Sequence, residues 1–491
     1  MADVSTQRIL EGPLPKEVAR FGIPLAMGMA LQTTFNLVDA YLVARLPAEE
    51  VGPAIGALGI CDQVAALGTI LSYGVSTATS AILSNQKGKN DDAGIQKTAW
   101  QSLLVVGALS VLFGVLGLAF AGPLMRDIIG AKGAVAQVAT SYLRVIVGGS
   151  FTIFFLLQLT SIQRALGSAK TPVALMVLGN ILNVFIAILF IFGSGPAPVI
   201  FGWAAPIASA LHIPRMGMLG AAWATILARA LVLIPNFFVL MKRFKILWPP
   251  PGSRGPDWVE IKRIVGIAWP SSAQMVVRIT AMLLINSLVA RAFTTEGDQT
   301  ATTAIGIVFR LDTMALFIAM GWGSAAQTFV GQNLGANKAE RATKSGWLTA
   351  LYDTITNVIL VIVLLQIGES ILRIFDEDAK PIAIALQYLG IVTPSYVGLG
   401  VGVVLGNAMA GAGATRTTLW IDLLVILGIQ FPVCIVAVAA FHVTIGGLFF
   451  CVAGINMVSA IAYSAVYARG HWRRAALAHE TSVPSVASSA P

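Results

Sequence analysis

The sequence predicts an all-α integral membrane protein with twelve transmembrane helices, arranged as two six-helix bundles related by a pseudo-two-fold axis along the membrane normal. Three observations lead to this fold class. Hydrophobic residues make up 56% of the chain and charged residues only 11%, whereas soluble domains contain about 25% charged residues. Apolar runs of about 20 residues, long enough to span a bilayer, recur along almost the whole chain. The chain also repeats itself at half of its own length.

The twelve predicted spans are justified by apolar runs that take up nearly all of the sequence. They lie at residues 21–44, 53–81, 98–121, 140–163, 172–193, 216–240, 266–290, 302–331, 346–367, 385–410, 418–440 and 444–467. A stretch at 194–215, rich in Gly, Pro and Ala, has only a short counterpart at 441–446. We expect part of it to pack as a re-entrant or interfacial piece.

The internal repeat has an offset of 246 to 247 residues. Its anchors pair Pro24 with Pro270, 42–45 with 288–291, Tyr142 and Leu143 with Tyr388 and Leu389, Gly167 with Gly413, and the hydrophilic stretch 85–90 with 332–337. This period is too long for a solenoid unit, which has at most roughly 50 residues. An even number of spans in each half gives both halves the same orientation. Duplicated bundles of this kind are typical of secondary transporters, in which the substrate path lies between the halves.

The predicted organisation follows from the spans and from the basic residues. It comprises an N-terminal segment at 1–20, an N-lobe at 21–240, a linker at 241–265, a C-lobe at 266–467 and a disordered tail at 468–491. Of the Lys and Arg residues that the spans assign to one side of the membrane, 21 fall on the side of the termini and 8 on the other. Because basic loops stay in the cytoplasm, we expect a multi-pass cell-membrane protein with both termini cytoplasmic. The first span is expected to act as an uncleaved anchor.

Several function classes are excluded by what the sequence lacks. It has no Gly-x-x-x-x-Gly-Lys-Ser/Thr phosphate loop and no soluble domain large enough to hydrolyse ATP. It also has no catalytic constellation, so we expect no enzyme. Cys61, Cys434 and Cys451 fall within spans, which favours neither disulfides nor a metal site. The basic loops account for the net charge of +9 without nucleic-acid binding. Uphill transport would therefore depend on an ion gradient, with protons or sodium as the coupling ion and no other cofactor.

Asp39 is the clearest ionisable residue within a span, where charge is costly and functional use is the default hypothesis. It lies towards the outer end of the first span. A carboxylate in a low dielectric can bind and release a proton, or hold a monovalent cation together with neighbouring oxygens. The alternative is an interfacial aspartate that pairs with Arg45 or caps a helix break.

The first span also resembles that of a known family. Pro24, Gln32, Val38 and Asp39 have the spacing found in the multidrug and toxic compound extrusion (MATE) family. Further matches lie at 163–167, at 170–172, at Asn180 and Asn183, at 217–225 and at 331–336. The resemblance covers residues 15–470. It implies a V-shaped pair of six-helix lobes that exports organic cations and other amphipathic toxic compounds in exchange for protons or sodium.

The resemblance also assigns roles to residues of the N-lobe. Asp39 matches the coupling carboxylate, and Asn183, together with Asn180, matches asparagines of the same pocket. Many members carry a second aspartate one turn further on, where this chain has Ala187. Losing a charge and two oxygen ligands weakens a sodium cage more than a protonation site. We therefore expect protons in preference to sodium, with the transported cation bound in or near the N-lobe.

A second departure lies in the C-lobe, where one branch of the family has a glutamate and this chain has Arg278. An unpaired arginine in lipid is very costly, so an acidic partner is expected. Asp312, beside Arg310, is the first candidate, and Asp422 and Asp353 follow. The resulting pair of buried charges is either a static structural pair or a pair that opens when substrate or a proton binds.

The remaining polar and aromatic candidates could line a substrate cavity. They are Gln32, Phe35, Tyr41, Gln158, Gln274 and Asn286. Interhelical hydrogen bonding is the alternative use of the amides. The expected partners are amphipathic or cationic small molecules and the lipid bilayer, with the protein itself a monomer. Two rival functions stay open: a flippase for lipid-linked oligosaccharide or a lipid precursor, for which Arg278, Arg310 and Arg229 could form a cationic cavity, and a membrane receptor or enzyme.

Overall fold

The computed structural model describes residues 4–130, 132–242, 244, 254–295, 297–373 and 378–475. Within the helices it leaves out the side chains of residues 4, 33–37, 39–40, 48, 55–56, 59–60, 62–63, 66–67 and 128. The described residues form helices joined by turns and short loops, with a single isolated β-bridge between Thr295 and Asp298. The all-α prediction is therefore confirmed for this part of the chain.

The N-lobe and the segment before it contain nine α-helices. They are α1 (Val4–Glu11), α2 (Leu14–Ala44), α3 (Ala48–Gly88), α4 (Asp92–Pro123), α5 (Gly133–Gly148), α6 (Phe151–Ala165), α7 (Lys170–Phe192), α8 (Ala204–Ala210) and α9 (Met218–Lys242). Helices α5 and α6 are bent by 40° relative to each other and together form one membrane span. With seven residues, α8 is too short to cross a bilayer.

The C-lobe contains eight α-helices. They are α10 (Trp258–Ala292), α11 (Thr300–Gly335), α12 (Ala339–Leu372), α13 (Ala379–Val392), α14 (Tyr396–Gly411), α15 (Thr415–Asp422), α16 (Phe431–Ala439) and α17 (Ile445–Arg469). A 3₁₀ turn joins α13 to α14, and a π-helical segment, Leu423–Gln430, joins α15 to α16. Each of these two pairs makes one continuous span.

The spans agree with the sequence prediction. Nine helices or continuous helix pairs of the described chain are long and apolar enough to cross a membrane, and the bent pair α5–α6 makes a tenth. The first two predicted spans coincide with α2 and α3, some of whose side chains are left out. The insertion at 194–215 folds back onto the end of α7, where Trp203 stacks on Phe185 and Phe201 stacks on Phe192.

The duplication is also visible in the backbone. Asn90 and Asn337, which are equivalent in the repeat, both adopt a left-handed conformation, with φ of 58° and 59°. Gly167 and Gly413, also equivalent, have φ of 87° and 81°. The same turns thus end the same helices in both lobes, as expected of two copies of one scaffold.

The two ends of the described chain, at residues 4 and 475, lie on one face of the molecule, called here the terminal face. On this face the Arg341 side chain of α12 donates to the carbonyls of Ile9 and Gly12 at the end of α1. Nearby, Trp472, which follows α17, stacks on Tyr467. The Tyr467 hydroxyl in turn reaches the Ala342 carbonyl of α12.

The two lobes meet through a reciprocal contact of α3 with α11 at the terminal face. A Cβ added at Gly88 would overlap the Gln332 backbone, and one added at Gly335 would overlap the Asn85 backbone. Because Gly88 and Gly335, and likewise Asn85 and Gln332, are equivalent in the repeat, the contact is self-complementary about the pseudo-two-fold axis. Only glycine permits this close approach of two backbones.

Hydrogen bonds extend this contact from the terminal face towards the middle of the membrane. Gln332 Nε2 donates to the Ala165 carbonyl over 2.8 Å, and Gln327 Nε2 donates to the Thr77 carbonyl over 2.9 Å. The deepest such bond joins Ser272 Oγ to the Ile70 carbonyl over 3.3 Å.

The start of α10 is fixed to α4 at the same face. Asp257 caps α10 by accepting from the backbone N–H groups of Val259 and Glu260, and Lys97 forms an ion pair with it at 2.6 Å. Trp100 Nε1 and Gln101 Nε2 donate to the carbonyls of Arg254 and Gly255, both over 2.8 Å. The end of the linker is therefore bound to the N-lobe.

Candidate functional site

In the N-lobe, polar side chains join α2 and α7, which carry the coupling residues expected from the resemblance, and also join α7 to α9. Asn180 Nδ2 on α7 donates to Gln32 Oε1 on α2 over 3.4 Å. Thr225 Oγ1 on α9 contacts Asn183 Oδ1 on α7 at 3.5 Å. The predicted asparagines therefore do lie between helices α2, α7 and α9.

The side chains of Asp39 and Phe35 lie outside the described residues, but the backbone places position 39. Helices α2 and α7 are the first and fifth spans, so they run in the same direction. Because Gln32 is level with Asn180, position 39 is level with Ala187, seven residues further along each helix. Ala187 is buried. The position at which the resemblance would place a second aspartate is thus an apolar one at the level of position 39.

Two other predicted cavity residues occupy different surroundings. Gln158 is fully buried, accepts from Ser76 Oγ over 3.1 Å, and donates to Thr79 Oγ1 and Ser102 Oγ over 2.9 and 2.8 Å. It ties α6 to α3 and α4 and lines neither of the cavities described below. Tyr41 is exposed, and the Arg45 guanidinium lies 4.9 Å from its ring centre.

In the C-lobe, Arg278 forms its ion pair with Asp422, the second sequence candidate, and not with Asp312, the first. Arg278 Nε donates to Asp422 Oδ2 over 2.6 Å. Tyr463 of α17 donates to the other carboxylate oxygen, Oδ1, over 2.6 Å, and Gln274 Nε2 donates to the Tyr463 hydroxyl over 2.9 Å. The prediction failed because sequence spacing cannot show which carboxylate faces α10. The pair is held by polar groups from three helices.

Asp312 on α11 is held by two tyrosines. The hydroxyls of Tyr388 on α13 and Tyr396 on α14 each donate to one of its carboxylate oxygens. Among the described residues, no Lys or Arg side chain lies within ion-pair distance of it. These tyrosines were missed in the sequence. A tyrosine within an apolar span should have been a signal, since its buried hydroxyl requires a hydrogen-bond partner.

Arg310 and Asp353 differ from their predicted roles. Arg310 was expected to be buried beside Asp312, but it is exposed, because two residues along a helix turn the side chain by about 200° to the other face. Asp353 on α12 is buried, accepts from Asn357 Nδ2 over 3.0 Å, and has no described partner at Oδ1. It does not contact Arg278.

Two adjacent cavities lie beside these charges. The smaller, about 70 Å³, lies between the lobes and is lined by Tyr73 and Thr77 of α3 and by residues of the C-lobe that include Gln274. The larger, about 200 Å³, lies within the C-lobe and is lined by Asn286, Asp312, Asp422 and both tyrosines, among mostly apolar side chains. We call it the C-lobe cavity. Two of the predicted cavity residues, Gln274 and Asn286, thus face open space.

Four residues belong to the walls of both cavities: Arg278, Met282, Leu316 and Val403. A compound that moves from the space between the lobes into the C-lobe cavity would pass these side chains. Within the C-lobe cavity Arg278 and Asp422 cancel each other's charge. The carboxyl group of Asp312 is left as the one ionisable acid in its wall without a described cationic partner.

Comparison with known proteins connects both lobes to one family model. The model described as MatE matches residues 24–189 and again 270–436, which are equivalent stretches of the internal repeat. "Probable multidrug resistance protein YpnP" of Bacillus subtilis is 27% identical over 86% of this chain and 88% of its own length. "Probable multidrug resistance protein NorM" of Thermotoga maritima is 25% identical over 95% of both chains. The "FAD transporter" of Shewanella oneidensis is 21% identical over 92% of this chain and 94% of its own.

Solved structures share the fold over nearly the full length. A transporter of the MOP superfamily from Pyrococcus furiosus has a TM-score of 0.84 at 22% identity and covers 97% of this chain and 99% of its own. An outward-facing multidrug resistance transporter has a TM-score of 0.83 at 23% identity and covers 98% of this chain and 100% of its own. Together with the helices described above, they confirm the predicted fold of two six-helix bundles.

Proposed function

This chain belongs to the MatE family, and on that premise we propose that it is a secondary antiporter that exports amphipathic organic cations and related toxic compounds in exchange for protons, in preference to sodium. The relatives compared above are transporters named for multidrug resistance or, in one case, for FAD, so the chain is a membrane transporter and not an enzyme. The proposal adds three properties: the substrate class, the coupling ion and the side of the membrane on which the termini lie.

The observation that carries the proposal is the contact between the lobes at the terminal face. The hydrogen bonds given above between the lobes lie between the terminal face and the middle of the membrane, and the deepest is that of Ser272. Two similar bundles joined at one face can open and close about the site between them, which is the geometry of alternating access. The smaller of the two cavities beside Arg278 is lined by residues of both lobes.

The basic residues supply the orientation. Loops at the terminal face carry the excess of Lys and Arg, and such loops stay in the cytoplasm. The described arrangement would then be closed to the cytoplasm. Export requires the opposite state as well, in which the contact of Gly88 with Gly335 separates and the cavities open inward.

Coupling is assigned to Asp39. In our scheme, the deprotonated carboxylate accompanies cation binding from the cytoplasm, and proton uptake from the outside releases the cation. Pro24 lies inside α2 and lacks the N–H that would bond to the preceding turn, so the helix bends more easily there. The Gln32–Asn180 hydrogen bond transmits this bending to α7. Ala187 favours protons because a sodium ion would lose one carboxylate ligand.

The rival function, a flippase for an anionic lipid precursor, requires an open cationic cavity. Arg278 is the one Lys or Arg in the wall of either described cavity, and Asp422 neutralises it. Arg310 is exposed and lines neither cavity. These placements favour a cationic substrate over an anionic one.

The test is efflux from proteoliposomes with a pH gradient and a sodium gradient imposed separately. N-methyl-4-phenylpyridinium serves as the substrate for the wild type, Asp39→Asn and Glu369→Gln, a control that removes an exposed carboxylate of α12. We expect export driven by the pH gradient alone, lost in Asp39→Asn and retained in Glu369→Gln. Export that depends on sodium alone, or full pH-driven export by Asp39→Asn, contradicts the proposal.

A further inference from the structure

The C-lobe cavity has an unusual balance of charge for a site in a membrane. Its wall contains one arginine, Arg278, and two aspartates, Asp312 and Asp422. Arg278 and Asp422 are bound to each other through a 2.6 Å hydrogen bond, and Tyr463 occupies the remaining oxygen of Asp422. The pair therefore contributes no net charge to the cavity.

Asp312 differs from Asp422 in one respect. Both carboxyl groups accept hydrogen bonds from tyrosines, but only Asp422 has a described arginine beside it. Tyr388 and Tyr396 fix the Asp312 carboxyl group at the cavity wall without balancing its charge. Since a buried charge is stable only when paired, a cation within the cavity is the partner that this geometry lacks.

We propose that Arg278 is a charge-selecting residue: by neutralising Asp422 it leaves Asp312 as the single counter-charge of the C-lobe cavity, so that the cavity accepts monovalent organic cations and excludes divalent ones. This inference rests on the proposed export of organic cations. It adds a limit on their charge, set by a residue that the sequence identified only as part of an ion pair.

The exclusion of divalent cations follows from the other residues of the wall. Met282, Ile285, Leu316 and Leu399 are among the apolar side chains that surround the charged groups. One positive charge of a dication can approach Asp312, but the second would be buried without a partner, which is strongly unfavourable in protein interiors. Arg278 adds repulsion, because it stands where the two cavities share a wall.

The same reasoning predicts how the limit can be removed. Without the Arg278 guanidinium, Asp422 becomes a second uncompensated carboxyl group in the same cavity. A dication would then find two counter-charges, and its binding should gain more than that of a monocation. Removing the charge of Asp422 as well returns the cavity to a single counter-charge.

The experiment is equilibrium binding to purified protein in lipid nanodiscs, without any ion gradient. The probes are N-methyl-4-phenylpyridinium, its near-isosteric dication N,N′-dimethyl-4,4′-bipyridinium, and neutral 4-phenylpyridine. We expect the wild type to bind the monocation at least about tenfold more tightly than the dication. The second positive charge of the dication is buried without a counter-charge, and an electrostatic interaction in such a site changes affinity by about tenfold or more. Asp312→Asn should lose about tenfold in monocation affinity, by the same estimate, while its affinity for 4-phenylpyridine is retained.

The variants at the ion pair give the decisive comparison. Arg278→Met should reverse or abolish the preference for the monocation, and the double variant Arg278→Met/Asp422→Asn should restore it. Arg291→Met removes an exposed arginine from the same helix and should leave the preference unchanged. The double variant also guards against misfolding, because it contains no unpaired buried carboxylate at this position.

The outcomes separate this inference from the proposed function. Equal binding of monocation and dication by the wild type, or the same preference in Arg278→Met as in the wild type, overturns the charge limit even if export is observed. Charge-selective binding that follows the variants, in a protein that exports nothing, upholds the charge limit and refutes the proposed function.

Discussion

Replacing Gly335 by alanine should open the terminal face. A Cβ at this position would overlap the backbone O, C and Cα atoms of Asn85 on α3. Because these are backbone atoms, no side-chain rotation can relieve the overlap, and α3 and α11 must move apart. The change adds a single methyl group and removes no polar contact of its own.

The size of the effect follows from the contacts that the separation strains. Overpacking a close contact costs about 1–3 kcal/mol. Moving the helices apart also weakens the hydrogen bond from Gln332 Nε2 to the Ala165 carbonyl, 2.8 Å long, which is worth about 1 kcal/mol. The total of about 2–4 kcal/mol should shift the equilibrium between closed and open terminal face by roughly 30- to 700-fold, since 1.4 kcal/mol is tenfold.

The assay is a distance measurement by double electron–electron resonance between spin labels at positions 89 and 344. Lys89 and Lys344 are exposed on the terminal face of the N-lobe and the C-lobe. Gly335→Ala, and likewise Gly88→Ala, should increase the population at long distances. Gly306→Ala is the matched control on the same helix, because a Cβ there meets nothing within 4 Å. If Gly335→Ala and Gly306→Ala give the same distance distribution, the lobes are not held by this contact.

Three further predictions concern stability and closure. Gln158→Leu should lower the thermal unfolding temperature, because the buried Ser76 hydroxyl loses its partner at a cost of about 1–3 kcal/mol, and it should leave the charge preference of binding unchanged; an unaltered unfolding temperature would contradict the structural role of Gln158. Arg341→Ala removes three hydrogen bonds to the end of α1 and should speed limited proteolysis of the segment before Leu14, whereas the exposed Lys344→Ala should not; equal rates would refute this. The ion pair with Lys97 and the cap of α10 lower the pKa of Asp257 below its ordinary 3.8, so the contribution of Asp257 to the contact between the lobes should be complete above pH 3.8 and lost as pH falls through the lowered value. The distance between the spin labels should therefore stay unchanged around neutral pH and lengthen only in strong acid. A change near neutral pH would show that Asp257 is not its cause.

The fold was predictable because the apolar spans and the internal repeat can both be recognised in the sequence without knowing which helices pack together. Span length follows from bilayer thickness, and the duplication placed equivalent turns at Asn90 and Asn337 before their backbone angles were known. The bend between α5 and α6 and the π-helical segment after Asp422 were not predictable, because neither interrupts the apolar run.

The candidate site was predictable only in part. The need for a partner of Arg278 followed from the cost of a buried charge, but the choice between Asp312 and Asp422 depends on how α10 packs against α11 and α15. Arg310 was misplaced because, two residues before Asp312, its side chain points to the opposite face of α11. The tyrosines that bind Asp312 come from two different helices, and one sequence gives no measure of which helices are neighbours.

Substrate-driven proton movement shows directly whether cation export is coupled to proton entry through Asp39. Sodium-free proteoliposomes at equal pH inside and outside are given an outward gradient of N-methyl-4-phenylpyridinium, and the internal pH is followed with a trapped dye. Because coupling is reciprocal, the account predicts that protons enter as the cation leaves, and that Asp39→Asn abolishes this acidification. Cation exit without proton entry, or equal acidification in Asp39→Asn, would contradict it.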